Sequence, residues 1–412
     1  MPKGNRLTSM IILSMVLGII TGYIVHEAAA PEWIQGFSKN IKLLSTVFIR
    51  LVQMIIAPLV FTTLVVGIAK LGDLKAVGRV GGKAILWFFS ASLASLFIGM
   101  LLVNIFQPGA SINLSQADTE GVKDLMSKTS SFSIQHFVDH IIPKSIVEAM
   151  AANEILQIVI FSIIFGIAAA AIGDYAKPLV HVLEVASHII LKMVHYVMMV
   201  APLGVFGALA AVVAVKGLGV FHFYFTYFIY FLVGIVILWL LLIGVGFLVL
   251  GARMKTLLQR ISSPLLIAFS TTSSEAVFPK LTEELERFGC KDRIVSFVLP
   301  LGYSFNLDGS MMYMTFASLA IAQAYGIHLD LGTQLTMLLV LMLTSKGIAG
   351  VPRASLVVVL ATCAMFGIPP EGVALILPID HFCDMFRSMT NVVGNALATS
   401  AVSKWEGELK HT

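Results

Sequence analysis

Long stretches of apolar residues dominate the first part of the chain. A helix needs about 18 or more such residues to cross a bilayer. Stretches of that length lie at roughly 7–26, 42–69, 84–106, 154–173, 182–213 and 221–251. The pattern therefore predicts a membrane-spanning helix over each of these ranges.

After residue 251 the pattern changes. Residues 256–291 and 332–369 each contain two apolar pieces that are too short to cross a bilayer, joined by a polar tip. Such a segment is typical of a re-entrant hairpin, whose bare backbone groups must meet protein or a water-filled cavity. Between the two hairpins, the apolar run 293–325 is interrupted by the polar segment 302–310. Paired broken segments of this kind indicate an inverted repeat and mark the binding site of secondary transporters.

The last apolar stretch, 372–404, carries polar residues on one face. They are Asp380, Asp384, Arg387, Asn391 and Asn395. At about 100° per residue, these positions fall within roughly 80° of one another around a helix. A charge at the centre of a bilayer costs on the order of 2.5–3.5 kcal/mol. We therefore expect this polar stripe to face a cavity rather than lipid.

The composition agrees with a membrane protein. Of the 412 residues, 58% are hydrophobic and only 12% are charged, whereas soluble domains carry about 25% charged residues. The predicted fold class is an all-α polytopic membrane protein. The net charge of +4 gives no reason to expect a nucleic-acid partner, and the three cysteines lack metal-ligand spacing.

Charged residues in the connections predict the orientation. Lys and Arg precede the first stretch, separate the second from the third and follow the sixth, whereas the 107–141 loop is Ser-rich and acidic. The positive-inside rule places the basic connections and both termini in the cytoplasm. The first 30 residues also have features of a signal peptide, but a first membrane helix is the simpler interpretation.

Two residues of the stripe suggest a substrate. Arg387 offers a planar fork suited to a carboxylate, and Asp384 offers a carboxylate suited to an ammonium group. Together they predict a site for an acidic amino acid. The alternative is an internal Asp384–Arg387 ion pair, which is common at this spacing on a helix.

Other oxygen-bearing residues suggest a cation site. Main-chain carbonyls freed at the 302–310 interruption would join the side chains of Asn306, Asp308, Asp380, Asn391 and Asn395. This is ligand chemistry for a small cation. For Asn306 or Asn391 taken alone, a helix–helix hydrogen bond explains the residue equally well.

The two hairpin tips have their own chemistry. The hydroxyls and amides of 270–274 suit a substrate carboxylate, and the glycines and proline of 347–352 suit a mobile gate. Each feature is also ordinary in plain loops.

Four motifs together carry a family resemblance over essentially the whole chain. They are STTSSE at 270–275, NLDGS at 306–310, KGIAGVP at 346–352 and the spacing of the polar residues from Asp380 to Asn395. The chain resembles the dicarboxylate/amino acid:cation symporter family, or glutamate transporter family, in its bacterial branch.

The resemblance implies eight membrane-spanning helices, two re-entrant hairpins, a homotrimer in the inner membrane and an elevator motion. The implied scaffold comprises 1–82 and 142–216. The implied transport domain comprises 83–141 and 217–412, with hairpins at 256–291 and 332–369, an interrupted helix at 293–325 and a last helix at 372–404.

The resemblance also implies roles for single residues. The substrate side-chain carboxylate would bind Arg387 assisted by Ser310, and the amine would bind Asp384. The α-carboxylate would bind Asn391, Ser273 and Ser274. Backbone groups of the outer gate would come from Gly350 and Val351, next to Pro352, and cation-site positions are matched by Asn306, Asp308 and Asp380.

Departures from the family bear on the coupling ion. Sodium-coupled members have an aspartate at the position of Asn395, and a tyrosine and a threonine at those of Phe88 and Ala91, with Ser92 retained. These losses favour protons. Candidate proton carriers are Asp308, Asp380 and Glu275, because burial raises the pKa of a carboxylate. Sodium stays open as the alternative.

Arg353 is a second departure, because relatives usually have a small or neutral residue there. It is predicted either to pair with Glu275 on the opposite hairpin tip or to add positive field for a dianionic substrate. A solvent-exposed arginine on the outer face of the gate is the alternative.

The predicted function is import of glutamate or aspartate, driven by a proton gradient. The alternatives are a C4-dicarboxylate:cation symporter and a sodium-coupled acidic amino acid symporter. Arg387 disfavours a neutral substrate, the closed hairpin tips disfavour an ion channel, and the serines of 270–274 lack the histidine that an enzyme would need. The only implied partners are the anionic substrate, the lipid bilayer and further copies of the chain, with H⁺ or Na⁺ as coupling ion and no cofactor.

Overall fold

The computed structural model describes residues 3–71, 74–111, 142–217, 224–345 and 354–410. Within these ranges the regular structure is helical, apart from an isolated bridge between Cys290 and Leu409. The helical class is therefore confirmed for the described residues. Most of the 107–141 loop and the part of the second hairpin tip at 346–353 lie outside them.

Within the described residues, five helical stretches are long and apolar enough to cross a membrane. They are Ser9–Ala28, Pro31–Ala69, Val77–Phe106, Gln157–Ile190 and Phe225–Leu250. Helices suit this environment because they satisfy their backbone hydrogen bonds internally. The chain is thus a multi-pass membrane protein, while the total of eight spans stays a prediction.

The first three helices are α1 (Lys3–Ala28), α2 (Pro31–Leu71) and α3 (Leu74–Phe106). Helix α2 has 41 residues and starts before the predicted span at 42–69. Its first turns are polar and begin at Pro31, because proline at a helix start loses no intrahelical hydrogen bond.

The next part contains α4 (Ile146–Ala152), α5 (Ile155–Ile172), α6 (Lys177–Met198) and α7 (Ala201–Lys216). The prediction of one span over 182–213 was wrong, since α6 and α7 divide this range. The division lies directly before Pro202, which has no N–H to continue the hydrogen-bond ladder of α6.

The remaining helices surround the polar stripe. They are α8 (Phe225–Leu250), α9 (Arg253–Thr271), α10 (Phe278–Phe288), α11 (Asp292–Phe305), α12 (Asp308–Ala324), α13 (Leu331–Thr344), α14 (Ala354–Met365) and α15 (Leu377–Trp405). The predicted interruption is confirmed, since α11 ends and α12 begins on either side of Asn306 and Leu307.

The helices pack in two groups, which contact each other chiefly through α2 and α11. Helices α1, α2, α5, α6 and α7 pack on one another, whereas α15 contacts α8, α9, α11 and α12, and α3 lies along α12. Glycines allow the closest approaches, as small residues do between membrane helices. A Cβ on Gly22 of α1 would lie 2.8 Å from the Ala210 carbonyl oxygen of α7. One on Gly99 of α3 would overlap the Met312 carbonyl oxygen of α12.

Charged residues join the end of α15 to two other elements. The Glu406 carboxylate lies 2.8 Å from Nη2 of Arg79 and 2.6 Å from Nζ of Lys83, both on α3. The Glu408 carboxylate pairs with Lys291 at 2.5 Å and with Arg293, at the start of α11. We call these two glutamates and their four basic partners the C-terminal clasp.

The clasp lowers two pKa values. Partial burial raises the pKa of Glu406 and of Glu408, but hydrogen bonds and charges of the basic partners outweigh it, so both lie below their ordinary value of 4.5. A carboxylate with a depressed pKa stabilises the fold above its unfolded pKa, and this contribution is lost as the pH falls through the folded pKa.

The double variant E406Q/E408Q should therefore melt a few degrees below the wild type at neutral pH, since it loses about 1–3 kcal/mol of charge-assisted hydrogen bonding. The difference should shrink as the pH falls below the ordinary glutamate pKa of 4.5, because protonation of the wild-type glutamates removes the same contacts. Thermal unfolding of the purified protein in detergent measures both effects. The exposed Glu27 provides the control E27Q, and equal melting temperatures for wild type and double variant at neutral pH would contradict the prediction.

Candidate substrate and cation site

Helix α15 carries the predicted stripe against the break between α11 and α12. Asp380, Arg387, Asn391 and Asn395 are buried, and Asp384 is half-buried. The stripe therefore faces the protein interior, as its charge required.

Arg387 lies between two aspartates. Its Nη2 and Nε lie 2.7 and 3.2 Å from Oδ1 of Asp384, and its Nη1 lies 3.5 Å from Oδ1 of Asp380. The internal Asp384–Arg387 pair that the sequence left open is thus present. Nη1 makes no hydrogen bond within the described part of the chain, although Arg387 is only 1% exposed. The guanidinium therefore keeps donor capacity for a further acceptor.

Tyr313 of α12 completes this cluster, and the sequence analysis missed it. Its hydroxyl donates to Oδ1 of Asp380 at 2.9 Å, and the Arg387 Cζ lies 4.2 Å from its ring centroid. One residue therefore makes a hydrogen bond to the buried carboxylate and a cation–π contact with the arginine. A usable signal was the position of this tyrosine, three residues after the end of NLDGS in an apolar run, because a buried phenol needs a hydrogen-bond partner.

Asn391 and Ser310 join α15 to the start of α12. The Asn391 Oδ1 accepts hydrogen bonds from the backbone N–H groups of Gly309 and Ser310 at 2.9 and 3.2 Å. Its Nδ2 donates to the Ser310 Oγ at 3.1 Å. These bonds satisfy backbone donors that a helix start leaves unpaired. Asn391 therefore makes the helix–helix hydrogen bonds that the sequence offered as its alternative role.

Asn306 and Asp308 lie at the break and are fully buried. The Asn306 Nδ2 donates to Oδ2 of Asp308 at 3.1 Å, while the Asn306 Oδ1 has no hydrogen-bond partner within the described residues. Gly394 of α15 faces this pair so closely that a Cβ atom there would overlap Oδ2 of Asp308. The predicted cation-site residues Asn306 and Asp308 are thus adjacent, in a pocket of the backbone that only glycine leaves open.

Asn395 lies beside the end of α11. We assign its side-chain amide the orientation in which the nitrogen donates to the main-chain carbonyls of Gly302 and Asn306 at 3.2 and 3.3 Å, because both neighbours are acceptors, and the side chain is 1% exposed. From α3, the Ser92 Oγ donates to the Phe305 carbonyl at 3.4 Å. Carbonyl groups at the break are therefore met by side-chain donors from two neighbouring helices.

The tip of the first hairpin is half-buried and polar. Helix α9 ends at Thr271, Thr272 has a left-handed backbone conformation, and the Ser273 Oγ accepts the Ala276 N–H at 3.2 Å. The Phe269 ring packs edge-on against Phe386, next to Arg387, with centroids 5.0 Å apart. This contact brings the α9 arm to the stripe, whereas the hydrogen bonds seen for the described residues do not join Ser273, Ser274 or Glu275 to α15.

The predicted gate lies outside the described residues. Gly350, Val351, Pro352 and Arg353 all fall within 346–353. Their roles, including the pairing of Arg353 with Glu275, stay predictions.

Comparison with known proteins places this geometry in a family. The sequence profile of the family described as the sodium:dicarboxylate symporter family matches residues 7–405. The chain is 38% identical to the proton/sodium-glutamate symport protein of Geobacillus stearothermophilus, over 97% of this chain and 94% of that protein.

Two further relatives carry different substrate names. The chain is 40% identical to the proton/glutamate-aspartate symporter of Escherichia coli K12, over 96% of this chain and 92% of the relative. It is also 40% identical to the C4-dicarboxylate transport protein of Azorhizobium caulinodans, over 98% of this chain and 90% of the relative. The family match spans nearly all of the chain, the relatives align over nearly their full lengths, and both confirm the predicted family: the protein belongs to the sodium:dicarboxylate symporter family and is a transporter, not an enzyme.

Proposed function

We propose that this protein is a secondary active symporter that imports glutamate or aspartate, with protons as the coupling ion. The observation that carries the proposal is the buried Arg387, whose Nη2 contacts Asp384 while its Nη1 makes no hydrogen bond to the described residues and only a 3.5 Å contact with Asp380. A dianion with one ammonium group matches this pair of opposite charges.

Binding would rearrange the ion pair rather than create charges anew. The substrate side-chain carboxylate would bind the Arg387 guanidinium at Nη1, and Ser310 would assist. Both contacts of Asp384 with Arg387 use Oδ1, so Oδ2 is the atom that would first meet the amine. Asn391, Ser273 and Ser274 would hold the α-carboxylate, with backbone groups of Gly350 and Val351 closing the site.

A C4-dicarboxylate is the second candidate substrate, because a relative with that name is as similar as the glutamate-aspartate symporter. A dicarboxylate could also use Arg387. It has no amine, however, so Asp384 would repel it without compensation. The proposal therefore favours the amino acid.

Protons are the proposed coupling ion because carboxylates are buried at the site while a sodium ligand is missing. Asp308 and Asp380 are fully enclosed, and Glu275 lies half-buried at the hairpin tip. At the position of Asn395 an amide stands where sodium-coupled relatives have a carboxylate. Sodium coupling is the alternative that the uptake experiment separates.

The elevator mechanism is proposed on the packing of the helices. Helices α1, α2, α5, α6 and α7 would form the fixed scaffold. Helices α3 and α8 to α15, with the re-entrant hairpins, would form the moving domain, and the C-terminal clasp ties α3, α11 and α15 within it. The homotrimer, the inner-membrane location and the cytoplasmic termini stay predictions.

Uptake by reconstituted liposomes tests the function. Radiolabelled glutamate, aspartate, succinate and fumarate are compared under an imposed proton gradient and under an imposed sodium gradient. The proposal expects concentrative uptake of the amino acids with the proton gradient alone. Uptake that depends strictly on sodium and not on pH would contradict proton coupling. A higher affinity for succinate than for glutamate would contradict the proposed substrate.

Asp384→Asn is expected to lower the ratio of glutamate to succinate uptake about ten-fold, since the variant loses the charge that meets the amine but keeps a hydrogen-bond acceptor for Arg387. Competition of both substrates in the same liposomes measures the ratio. Asp174→Asn, at an exposed carboxylate paired with Lys177, is the matched control. An unchanged ratio would show that Asp384 does not determine which substrate is preferred.

A further inference from the structure

Helix α13, the first arm of the predicted second hairpin, has two different faces. Its exposed face carries a leucine at every fourth position, namely Leu331, Leu335, Leu339 and Leu343. The buried residues of the arm are apolar except for Gln334. A buried amide without hydrogen bonds costs free energy. Gln334 therefore needs partners from the elements against which α13 packs.

Asn104, in the last turn of α3, is the partner of Gln334. The Asn104 Nδ2 donates to Oε1 of Gln334 at 2.6 Å, and the Gln334 Nε2 donates to Oδ1 of Asn104 at 3.2 Å. The same nitrogens donate to the main-chain carbonyls of Met100 and Leu329, each at 2.9 Å. Since only the nitrogen of an amide can donate to a carbonyl, these contacts assign the orientation of both side chains. The two amides thus form a closed pair of hydrogen bonds between α3 and α13.

The end of α3 is itself joined to α12. The Gln323 Nε2 donates to the Val103 carbonyl at 2.9 Å, and the Gln323 Oε1 accepts the Gly109 N–H at 3.2 Å. The backbones also approach closely, because a Cβ atom on Gly109 would overlap the Ala320 carbonyl oxygen. Asn104 therefore belongs to a part of α3 that is held firmly against α12.

The other hydrogen bonds of the arm are local. Asp330 caps the start of α13 by accepting the N–H and the hydroxyl of Thr333, and the hydroxyls of Thr336 and Thr344 donate to carbonyls of α13 itself. Within the described part of the chain, no hydrogen bond apart from the amide pair joins α13 to a neighbouring helix. Apolar packing against α3, α12 and α14 is non-directional, whereas a hydrogen-bonded pair fixes one position of the arm.

We propose that Asn104 and Gln334 are positioning residues that fix the base of α13 against α3, so that movement of this arm is confined to the part beyond Gln334. Gln334 lies in the first turn of the helix, which continues to Thr344, about 15 Å further along at the helical rise. The inference rests on the proposed function in one respect, since α13 is the arm that leads to the backbone groups proposed to close over the substrate.

Gln334→Leu separates this role from a general contribution to stability. The substitution removes the amide pair but places an apolar side chain of similar size on the buried face, so no unsatisfied amide stays buried on α13. Asn104 is exposed and keeps its bond to the Met100 carbonyl. The melting temperature in detergent should therefore stay within a few degrees of the wild type, while the arm loses its fixed position.

Distances between spin labels measure the position of the arm in the substrate-free, full-length protein. Leu339→Cys on α13 and Leu248→Cys on α8 supply exposed attachment sites, and the three native cysteines are buried. Gln334→Leu should broaden the distance distribution about two-fold, because apolar packing alone does not fix the arm. Asn104→Leu should broaden it as well and should also lower the melting temperature, since the Gln334 amide stays buried without its partner on α3. The exchange Asn104→Gln/Gln334→Asn keeps the combined length of the two side chains and should restore the wild-type width.

Gln323→Leu is the matched control. It removes an amide at the same end of α3, but one that holds α12, so the width measured for α13 should stay at the wild-type value. An unchanged width in folded Gln334→Leu protein would overturn the proposal. So would an equal broadening by Gln323→Leu, or an exchange variant whose distribution stays broad.

The rate of glutamate dissociation is a second readout. It should rise about five-fold in Gln334→Leu and less than about two-fold in Gln323→Leu, because a change in how a site closes acts mainly on the off-rate. Equal dissociation rates in the wild type and in Gln334→Leu would contradict a role of the pair in holding the substrate. If glutamate fails as a substrate in the uptake experiment, the label distances, which need no substrate, still decide whether the amide pair positions the arm.

Discussion

Arg387→Lys is expected to lower glutamate uptake at least about 100-fold, a loss of about 2.7 kcal/mol in binding and transport. The variant keeps the positive charge but loses the planar fork. In the wild type that fork holds Asp384 through Nη2 and Nε, lies over the Tyr313 ring and still presents Nη1. An ammonium group provides a point charge that cannot make these contacts together. Initial uptake rates in proteoliposomes, normalised to the amount of reconstituted protein, measure the effect.

Arg253→Lys is the control for this substitution. Arg253 also lies over an aromatic ring, with its Cζ 4.8 Å from the Phe288 centroid, and donates to the Phe288 carbonyl at 2.8 Å. It is remote from the stripe, so the change should leave uptake within about two-fold of the wild type. If Arg387→Lys transported as well as this control, charge alone would suffice and the bidentate role of Arg387 would be wrong.

Gly394→Ala is expected to lower uptake at least about 30-fold, because the added methyl group forces a rearrangement at the break. A Cβ at this position would overlap Oδ2 of Asp308 and lie 3.1 Å from Nδ2 of Asn306. Either Asp308 must rotate away from Asn306, or α12 must move away from α15. Both changes disturb the buried carboxylate that is proposed to take part in ion coupling.

The matched control is Gly244→Ala on α8, where a Cβ atom meets nothing within 4 Å. It should leave uptake unchanged, since alanine by itself favours a helix by about 0.5–1 kcal/mol over glycine. Size-exclusion chromatography of both variants checks that the protein remains folded. A folded Gly394→Ala protein with wild-type uptake would show that the position of Asp308 can shift without cost to transport.

Much of the site was predictable because buried polar residues are costly in a membrane. The stripe from Asp380 to Asn395 and the interruption around Asn306 both stand out against long apolar runs. The inverted-repeat pattern also predicts that the stripe and the interruption face one another. The structure agrees in bringing Asn391 to Ser310 and Asn395 to the end of α11.

The partners within the stripe were less predictable. Periodicity says which face a residue occupies, but not which atom pairs with which. The same sequence allows Asp384 either to stay available for the amine of a substrate or to pair with Arg387, and the structure shows the second arrangement. Tyr313 escaped notice because a tyrosine in an apolar run is compatible with a membrane helix of any function.

The division between α6 and α7 escaped prediction for another reason. Hydropathy continues through 182–213 without a polar signal, so the apolar pattern alone gives a single span. Only the missing N–H of Pro202 indicates the turn, and prolines are tolerated inside membrane helices. Pro58 within α2 and Pro300 within α11 are examples in this chain.

The C-terminal clasp makes one end of the protein sensitive to ionic strength. Its glutamates are largely enclosed, but the side chain of Arg79 is 58% exposed, so dissolved ions can reach the basic partners. At about 1 M salt the screening length falls to about 3 Å, comparable to the ion-pair distances themselves. Buffers of high salt concentration will therefore loosen the attachment of the chain end to α3 and α11, while the buried Arg387 cluster, shielded from solvent, keeps its charges paired.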